Sequence, residues 1–150
     1  AFFKKYQTLD NAVLSDLNDV LANDTTLTDS QKEEYRDIMK KHYQNLTYEV
    51  KEAIENGDEA TVKTEIVVTD FNKALDEANS YLLEHPEEFN DEFGNYNVTK
   101  FNDYRIQKLK EAQEKVKYTL DITLTKKDSK WQVDKQDDSI LDKINGTYNY

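Results

Sequence analysis

The sequence predicts an α+β fold: an antiparallel sheet of about four strands, arranged as two hairpins and covered on one face by amphipathic helices. Two observations lead to this prediction. In several segments apolar residues recur at three- and four-residue steps, which is the spacing of helices that bury one face. Two other segments alternate apolar and polar residues, as strands with one wet face do. Because no linker rich in Pro, Gly or Ser interrupts residues 1–150, they are predicted to form a single domain.

The first helix is predicted over residues 2–22, because its apolar residues form one continuous stripe. These residues are Phe2, Phe3, Tyr6, Leu9, Val13, Leu14, Leu17, Val20 and Leu21. A second helix should begin after Thr28, because Thr28 followed by Gln31 matches a capping box. The short connection predicts that the two helices are antiparallel neighbours.

The first hairpin is predicted on both sides of Asn56-Gly57-Asp58. The apolar residues that flank this turn have even numbers: Leu46, Tyr48, Val50 and Ile54 before it, and Ala60, Val62, Ile66 and Val68 after it. Directly opposed residues share a face, so this parity predicts that Ile54 pairs with Ala60 across a three-residue loop. A two-residue turn would place the two apolar sets on opposite faces.

The middle of the chain is predicted to hold two more helices separated by an acidic segment. The third helix should begin after Thr69 or Asp70 and stop before Pro86. Residues 84–95 carry five acidic side chains and no Lys or Arg, which predicts an exposed loop or loose turn. A fourth helix is predicted from about Val98.

The second hairpin is predicted from the alternating residues 118–124 and their continuation at Trp131 and Val133. The parity of the apolar residues changes across this turn, so the loop must have an even length, and four residues, 126–129, fit. Asp137 or Asp138 should open a short last helix, and Gly146 suits its left-handed end. The tyrosines of the tail, Tyr148 and Tyr150, are expected to pack back on the domain.

The charge of the chain limits its partners. With 20 basic and 31 acidic side chains the formal net charge is −11. Nucleic acids and anionic membranes attract excess Lys and Arg, so we expect no nucleic-acid partner. No apolar run approaches the ~20 residues of a transmembrane helix. The chain has no Cys, which excludes disulfides and thiol catalysis.

Catalytic, cofactor-binding and metal-ligating residues are not assigned from the sequence. His42 and His85 have no nucleophile beside them in sequence, and surface or capping roles are predicted for both. Glu52 falls on the even-numbered face of its strand, where it would be a buried acid or, as we favour, would reach solvent at the sheet edge. The acidic residues 84–92 are interpreted as a solvated loop, with opportunistic Ca²⁺ binding as the alternative.

The aromatic residues offer one further possibility for a site. Tyr48, Tyr118 and Trp131 project from strands on the face that helices should cover. They either form part of the core, which we favour, or line a cone-shaped pocket. The apolar stripe of residues 2–21 either belongs to the core or binds a partner helix.

Two stretches of the chain carry a family resemblance. Residues 35–71 include the Asn-Gly-Asp turn, and residues 117–150 include Lys-Lys-Asp-Ser-Lys-Trp-Gln-Val and end in Ile-Asn-Gly-Thr-Tyr-Asn-Tyr. Together they resemble an uncharacterised family of small extracytoplasmic proteins, often lipoproteins, of low-GC Gram-positive bacteria. The second stretch also resembles cystatin-like and nuclear transport factor 2-like domains. The resemblance implies a cell-envelope or secreted location, and the lipid-bearing Cys of such a lipoprotein would lie before Ala1.

The function predicted from these observations is a non-enzymatic, extracytoplasmic binding or interaction domain. Its partner would be an unknown protein or small molecule, and no cofactor is predicted. Two alternatives stay open at this point. One is a small-molecule-binding or enzymatic cone-shaped domain with the aromatic pocket, and the other is a structural module that assembles through its first helix.

Overall fold

The computed structural model describes residues 2–148. The helices of this part are α1 (Phe2–Gln7), α2 (Asn11–Asn23), α3 (Asp29–Asn45), α4 (Phe71–Glu84), α5 (Val98–Glu111) and α6 (Asp138–Asn145). Its strands are β1 (Thr47–Asn56), β2 (Glu59–Thr69), β3 (Lys115–Lys127) and β4 (Lys130–Val133). All four strands form one antiparallel sheet in the order β1-β2-β3-β4. The predicted α+β class is confirmed, and the β2–β3 pair joins the two hairpins.

The single helix predicted over residues 2–22 is wrong, because the chain breaks between α1 and α2. Leu9 adopts a left-handed conformation with φ 53°. The Asp10 carboxylate accepts a hydrogen bond of 2.9 Å from the Ala12 amide and caps α2. A side chain of this type competes with helix continuation by satisfying the first free amides of a new helix. The apolar periodicity persists across the break and concealed it.

The capping box at the start of α3 is confirmed. The Gln31 amide donates to the Thr28 hydroxyl at 3.1 Å, and the Thr28 amide donates to the Gln31 side chain at 3.0 Å. The buried Gln31 side chain also donates to the Thr99 carbonyl at 2.9 Å. One side chain therefore begins α3 and ties it to α5.

The register predicted for the first hairpin is wrong at the turn, although Tyr48 pairs with Ile66 and Val50 with Thr64, even-numbered with even-numbered as predicted. Asn56 pairs with Glu59 around a two-residue turn in which Gly57 has φ 65°, and Ile54 pairs with Thr61. The apolar faces still match near the helices because Lys51 forms a β-bulge, where the pairing shifts by one residue. The prediction from even and odd residue numbers assumed that the two strands pair without interruption. The bulge interrupts the pairing, so the prediction does not hold between the bulge and the turn.

The second hairpin has the predicted even loop length, but its loop is two residues long instead of four. Lys127 pairs with Lys130, and the turn residues Asp128 and Ser129 have φ 51° and 65°. Two consecutive positive φ values define the turn type whose twist matches that of the flanking strands. The apolar parity is as predicted, since Leu124 pairs with Val133.

The remaining helix boundaries agree with the sequence. Asp70 caps α4, Asp137 caps α6, and Gly146 ends α6 with φ 73°. The prediction of an exposed loop at residues 84–95 is wrong for Phe89, which is buried at the end of a 3₁₀ helix (Pro86–Phe89). The Tyr148 ring packs on Tyr118 with centroids 6.0 Å apart, whereas Tyr150 lies outside the described residues.

Burial divides the sheet into two ends. The end that holds Ile66, Val68, Tyr118 and Leu120 is covered by the helices, and each of these side chains is at most 4% exposed. We call it the covered end. The other end, residues 50–62 and 124–133, carries both hairpin turns and is largely exposed. We call it the open end.

Candidate functional site

The open end presents apolar side chains on the face of the sheet that helices cover elsewhere. Leu124 pairs with Ala60 on one side and with Val133 on the other, so these three residues share that face. Trp131 lies two residues before Val133 in β4, so its side chain is on the same face of the sheet. Val133 is 41% and Trp131 36% exposed, although the alternation of their strand is that of core residues. An exposed apolar strip therefore continues the core face beyond the helices.

Lysines surround this strip at the tip of the second hairpin. Lys126 lies opposite Trp131, with its Nζ 5.8 Å from the centroid of the indole ring. Lys127 and Lys130 are directly opposed on the other face, a placement in which like charges destabilise the pair. Only Asp128 offsets these three cations within residues 126–131. The tip is thus a local basic site in a chain of net charge −11.

The two edges of the sheet differ in their suitability for a further strand. β4 is an edge strand of four residues, all of them exposed. β1 forms the other edge, but it carries the bulge at Lys51 and the charged residues Glu49, Glu52 and Glu55. Short length, bulges and charged side chains are all features that protect an edge from pairing. β1 has the bulge and more charged residues, whereas β4 is short and carries one charged residue, Lys130, without a bulge.

The pocket considered as the alternative role of Tyr48, Tyr118 and Trp131 does not form from these three residues. Tyr48 and Tyr118 lie in one row with Ile66 between them. Trp131 faces Lys126, which is eight residues further along β3, or about 26 Å at ~3.3 Å per residue. Tyr118 belongs to the core, as favoured, whereas the favoured core role is wrong for Trp131, which is 36% exposed at the open end.

The role predicted for His42 at the surface or as a cap is wrong, because its side chain is 4% exposed. Its Nε2 donates to the Ile144 carbonyl at 2.8 Å, and its ring stacks on Phe71 with centroids 4.6 Å apart. Nδ1 has no hydrogen-bond partner among the described residues. Burial lowers the pKa of His42 to about 4, and the cation of Lys115 contributes to the same direction. His42 is therefore a neutral core residue that holds α3 against the end of α6.

A cavity of about 710 Å³ opens beside His42, between α3 and the end of α5. Its rim carries charges of both signs, including Glu34, Lys41, Lys110 and Lys115. Nδ1 of His42 is itself buried and is not available to a molecule in this cavity. The cavity thus has no chemically distinctive group in reach, and we assign it no role.

The other sequence candidates lie where we favoured them. Glu52 is exposed on the edge strand β1. His85 follows the last residue of α4, and its side chain is 42% exposed. Within residues 2–148, His85, Glu87 and Glu88 form a group whose side chains could share a metal ion.

The basic apolar tip was missed by sequence reasoning although its signal was present. The residues Lys126, Lys127, Lys130 and Trp131 were interpreted only as a turn and its flanks. What makes them a surface is the absence of a covering helix at this end, which periodicity does not predict. Interleaved cations and an aromatic at a strand edge are the pattern that could have indicated it.

Comparisons with protein-family models, with curated proteins and with solved structures find no match for this chain. The resemblance noted above accordingly stays a prediction. In the part of the chain that the structure describes, no helix has both the length and the apolar character needed to cross a bilayer.

Proposed function

We propose that this chain is a non-enzymatic, extracytoplasmic binding domain whose open end binds an extended, acidic and apolar segment of a partner protein. One observation carries the proposal: the core face of the sheet continues beyond the helices as an exposed apolar strip beside a short, basic edge strand without a bulge. The segment would add to the sheet beside β4.

The strip and the edge supply the two parts of strand recognition. An added strand gains main-chain hydrogen bonds from the edge, and its alternate side chains enter the apolar surface on one face. Val133, Trp131 and Leu124 provide that surface. The indole ring of Trp131 can contact an apolar side chain while its polar N–H edge stays in water.

Charge complementarity identifies the partner as acidic. Lys127 and Lys130 repel each other across the turn, and a carboxylate between them would turn that repulsion into attraction. Lys126 is held near the Trp131 ring, where a carboxylate on the bound face could reach it. The lysines contribute to binding through electrostatic attraction, so the affinity for an acidic segment should fall as salt screens the exposed charges.

The extracytoplasmic location follows from the family resemblance and agrees with the absence of Cys. Fractionation of the native host tests this part alone: recovery of the chain from the cytosol contradicts it.

The binding test uses the single tryptophan of the chain as its reporter, because Trp131 lies in the proposed site. The probes are two twelve-residue peptides, one alternating Thr and Glu with two central Val residues, the other with Lys in place of Glu. We expect the acidic peptide to change Trp131 fluorescence and to bind at least about tenfold more tightly than the basic one.

Two triple variants make the result specific. Replacing Lys126, Lys127 and Lys130 by Gln should abolish the preference for the acidic peptide. A matched control replaces three exposed lysines on helices, Lys4, Lys5 and Lys41, by Gln, and changes the net charge equally. Equal loss in both variants, equal binding of both peptides, or light scattering that shows dimers formed through the open end would each contradict the proposal.

The two alternative functions have less support. The first-helix stripe that would serve an assembly module is used inside the molecule, since Phe3, Val13, Leu17 and Leu21 are buried. The aromatic pocket of a small-molecule-binding domain would need Tyr118 and Trp131 together, and they lie at different ends of the sheet.

A further inference from the structure

We propose that His85, Glu87 and Glu88 form a binding site for Zn²⁺ or a closely similar transition-metal ion. Each residue offers one ligand atom, and the three atoms lie within 4.8 Å of one another. Nδ1 of His85 is 3.7 Å from Oε1 of Glu87 and 3.7 Å from Oε2 of Glu88. This site is far from the β4 edge in sequence and independent of the proposed function.

The spacing of the ligand atoms suits a tetrahedral ion. Zinc binds imidazole nitrogen and carboxylate oxygen at ~2.0–2.2 Å, which places two ligands of one tetrahedral ion about 3.4 Å apart. The observed separations of 3.7 Å exceed that value by a few tenths of an ångström. The third separation, between the carboxylate oxygens of Glu87 and Glu88, is at most 4.8 Å, so binding of one ion requires rotation of these side chains towards each other.

The segment that carries the ligands is anchored to the molecule. His85 is the C-cap residue that follows α4. The 3₁₀ helix that holds both glutamates is fixed by Phe89, which is buried against Phe101 with ring centroids 5.3 Å apart. Pro86 restricts the backbone between the first and second ligands. The three ligands thus come from a short, restrained stretch, which lowers the entropy that an ion must overcome on binding.

Tyr81 orients two of the three ligands. Its hydroxyl donates to Oε2 of Glu88 at 2.6 Å, and its ring lies against the His85 ring with centroids 4.5 Å apart. Tyr81 in turn stacks on Tyr104 of α5, at 4.9 Å. Hydrogen bonds to a ligating carboxylate are the outer contacts that orient metal ligands. Tyr81 is therefore a positioning residue for the site.

The ligand set identifies the class of ion. An imidazole nitrogen with two carboxylates is a donor set for Zn²⁺ and its neighbours, whereas Ca²⁺ and Mg²⁺ take oxygen ligands. The sequence suggested Ca²⁺ as the alternative for residues 84–92, because that interpretation considered only the acidic side chains. Inclusion of His85 moves the preference to zinc.

The test is a titration of the full chain with ZnCl₂, followed by NMR of the two histidine rings. The chain has only two histidines, and His42 is buried in the core, so it serves as an internal control. We expect the His85 ring signals to shift and those of His42 to stay unchanged. Titration with CaCl₂ and MgCl₂ should shift neither ring.

Variants assign the ligands. His85→Ala, Glu87→Gln and Glu88→Gln should each lower zinc affinity by at least about tenfold, and Tyr81→Phe by about tenfold through loss of orientation. Glu92→Gln, which changes the charge of the same acidic segment without removing a ligand, is the matched control and should bind as the wild type does. Circular dichroism confirms that each variant is folded.

Three outcomes would overturn the inference. They are the absence of a His85 shift at about 1 mM zinc, the concentration that half-saturates a site with a Kd of about 1 mM; unchanged affinity in both His85→Ala and Glu87→Gln; and calcium binding as tightly as zinc. Failure here leaves peptide binding at the open end unaffected, because the two experiments observe different residues.

Discussion

The covered and open ends belong to the same strands, yet the helices bury one and leave the other in water. Strand β3 has 13 residues, and α3, the longest helix and one that contacts β2, has 17. Because a strand rises ~3.3 Å per residue and a helix 1.5 Å, β3 is about 43 Å long and α3 about 26 Å. Helices of this length cannot cover strands of this length. Identical alternation therefore produces a core at one end and an exposed apolar strip at the other.

The largest expected difference between the two ends is in the effect of truncating an isoleucine. Ile66 on β2 is 0% exposed and Ile54 on β1 is 55% exposed. Ile66→Ala leaves a cavity in the core and should reduce the free energy of unfolding by about 2–5 kcal/mol. Ile54→Ala should change it by less than about 0.5 kcal/mol. Urea unfolding followed by circular dichroism measures both values.

Equal losses in the two isoleucine variants would contradict the division of the sheet. In that case the open end would be stabilised by contacts that its exposure does not reveal. Ile66→Val serves as a milder control, for which we expect a loss of about 0.5–1.5 kcal/mol at the same position.

Acid should destabilise the covered end through His42. Its pKa is lowered to about 4 in the folded chain, against 6.5 for an ordinary histidine, mainly by burial. A lowered pKa means that the folded state binds the proton more weakly, so stability is complete above pH 6.5 and is lost as the pH falls towards 4. The full difference corresponds to about 3 kcal/mol.

The contribution of His42 is isolated by comparison with His42→Gln, which does not titrate. Between pH 7 and pH 5 the wild type should lose about 2 kcal/mol more than the variant. The free energies of unfolding are measured by urea titration at each pH. Parallel pH profiles of the two proteins would show that protonation of His42 is not coupled to folding.

Gly146 should be the most sensitive glycine of the covered end. A β-carbon there would lie 2.2 Å from the Thr69 carbonyl oxygen and 3.0 Å from Cε1 of His42, and the residue has φ 73°. Gly146→Ala should lower the free energy of unfolding by about 2 kcal/mol or more, through backbone strain and overpacking. Gly94 also has positive φ but open space around it, so Gly94→Ala is a control that introduces the backbone strain without the close contacts. A melting temperature equal for both variants would contradict the close contact.

The smallest expected effect is a gain at the open end. Ser129 has φ 65° without being glycine, and a left-handed conformation costs a residue with a β-carbon roughly 1–2 kcal/mol. Ser129→Gly should stabilise the chain by up to about 1 kcal/mol and leave the covered end unchanged. Amide hydrogen exchange distinguishes the two regions. Slower exchange in β3 and β4 without a change at Ile66 is the expected pattern.

The sequence predicted the fold class because periodicity reports local burial, and local burial is what distinguishes helix from strand here. It did not predict the break at Leu9 or the bulge at Lys51. At Leu9 the apolar stripe continues across a residue with a left-handed backbone. At Lys51 one extra residue in β1 keeps the apolar residues of β1 and β2 on the same face, which a two-residue turn without a bulge would not do. Both are single-residue departures that conserve the apolar pattern around them.

The sites were harder to predict than the fold because each depends on distant elements. His42 is buried against α6, where it donates a hydrogen bond to the carbonyl of Ile144, 102 residues later in the chain. Trp131 is exposed because none of the helices within residues 2–148 covers it. His85 and the two glutamates, by contrast, lie within four residues. Their convergence could have been predicted had the short 3₁₀ helix been recognised.

The bulge at Lys51 also bears on stoichiometry. A sheet with two receptive edges can recruit one molecule at each and grow without limit into a fibre. Here the first edge is kinked and charged, while the last is short and ends after Val133. For the strand addition proposed above, this difference predicts a complex of one partner segment per molecule. The bulge at Lys51 would prevent a second segment from pairing with the first edge.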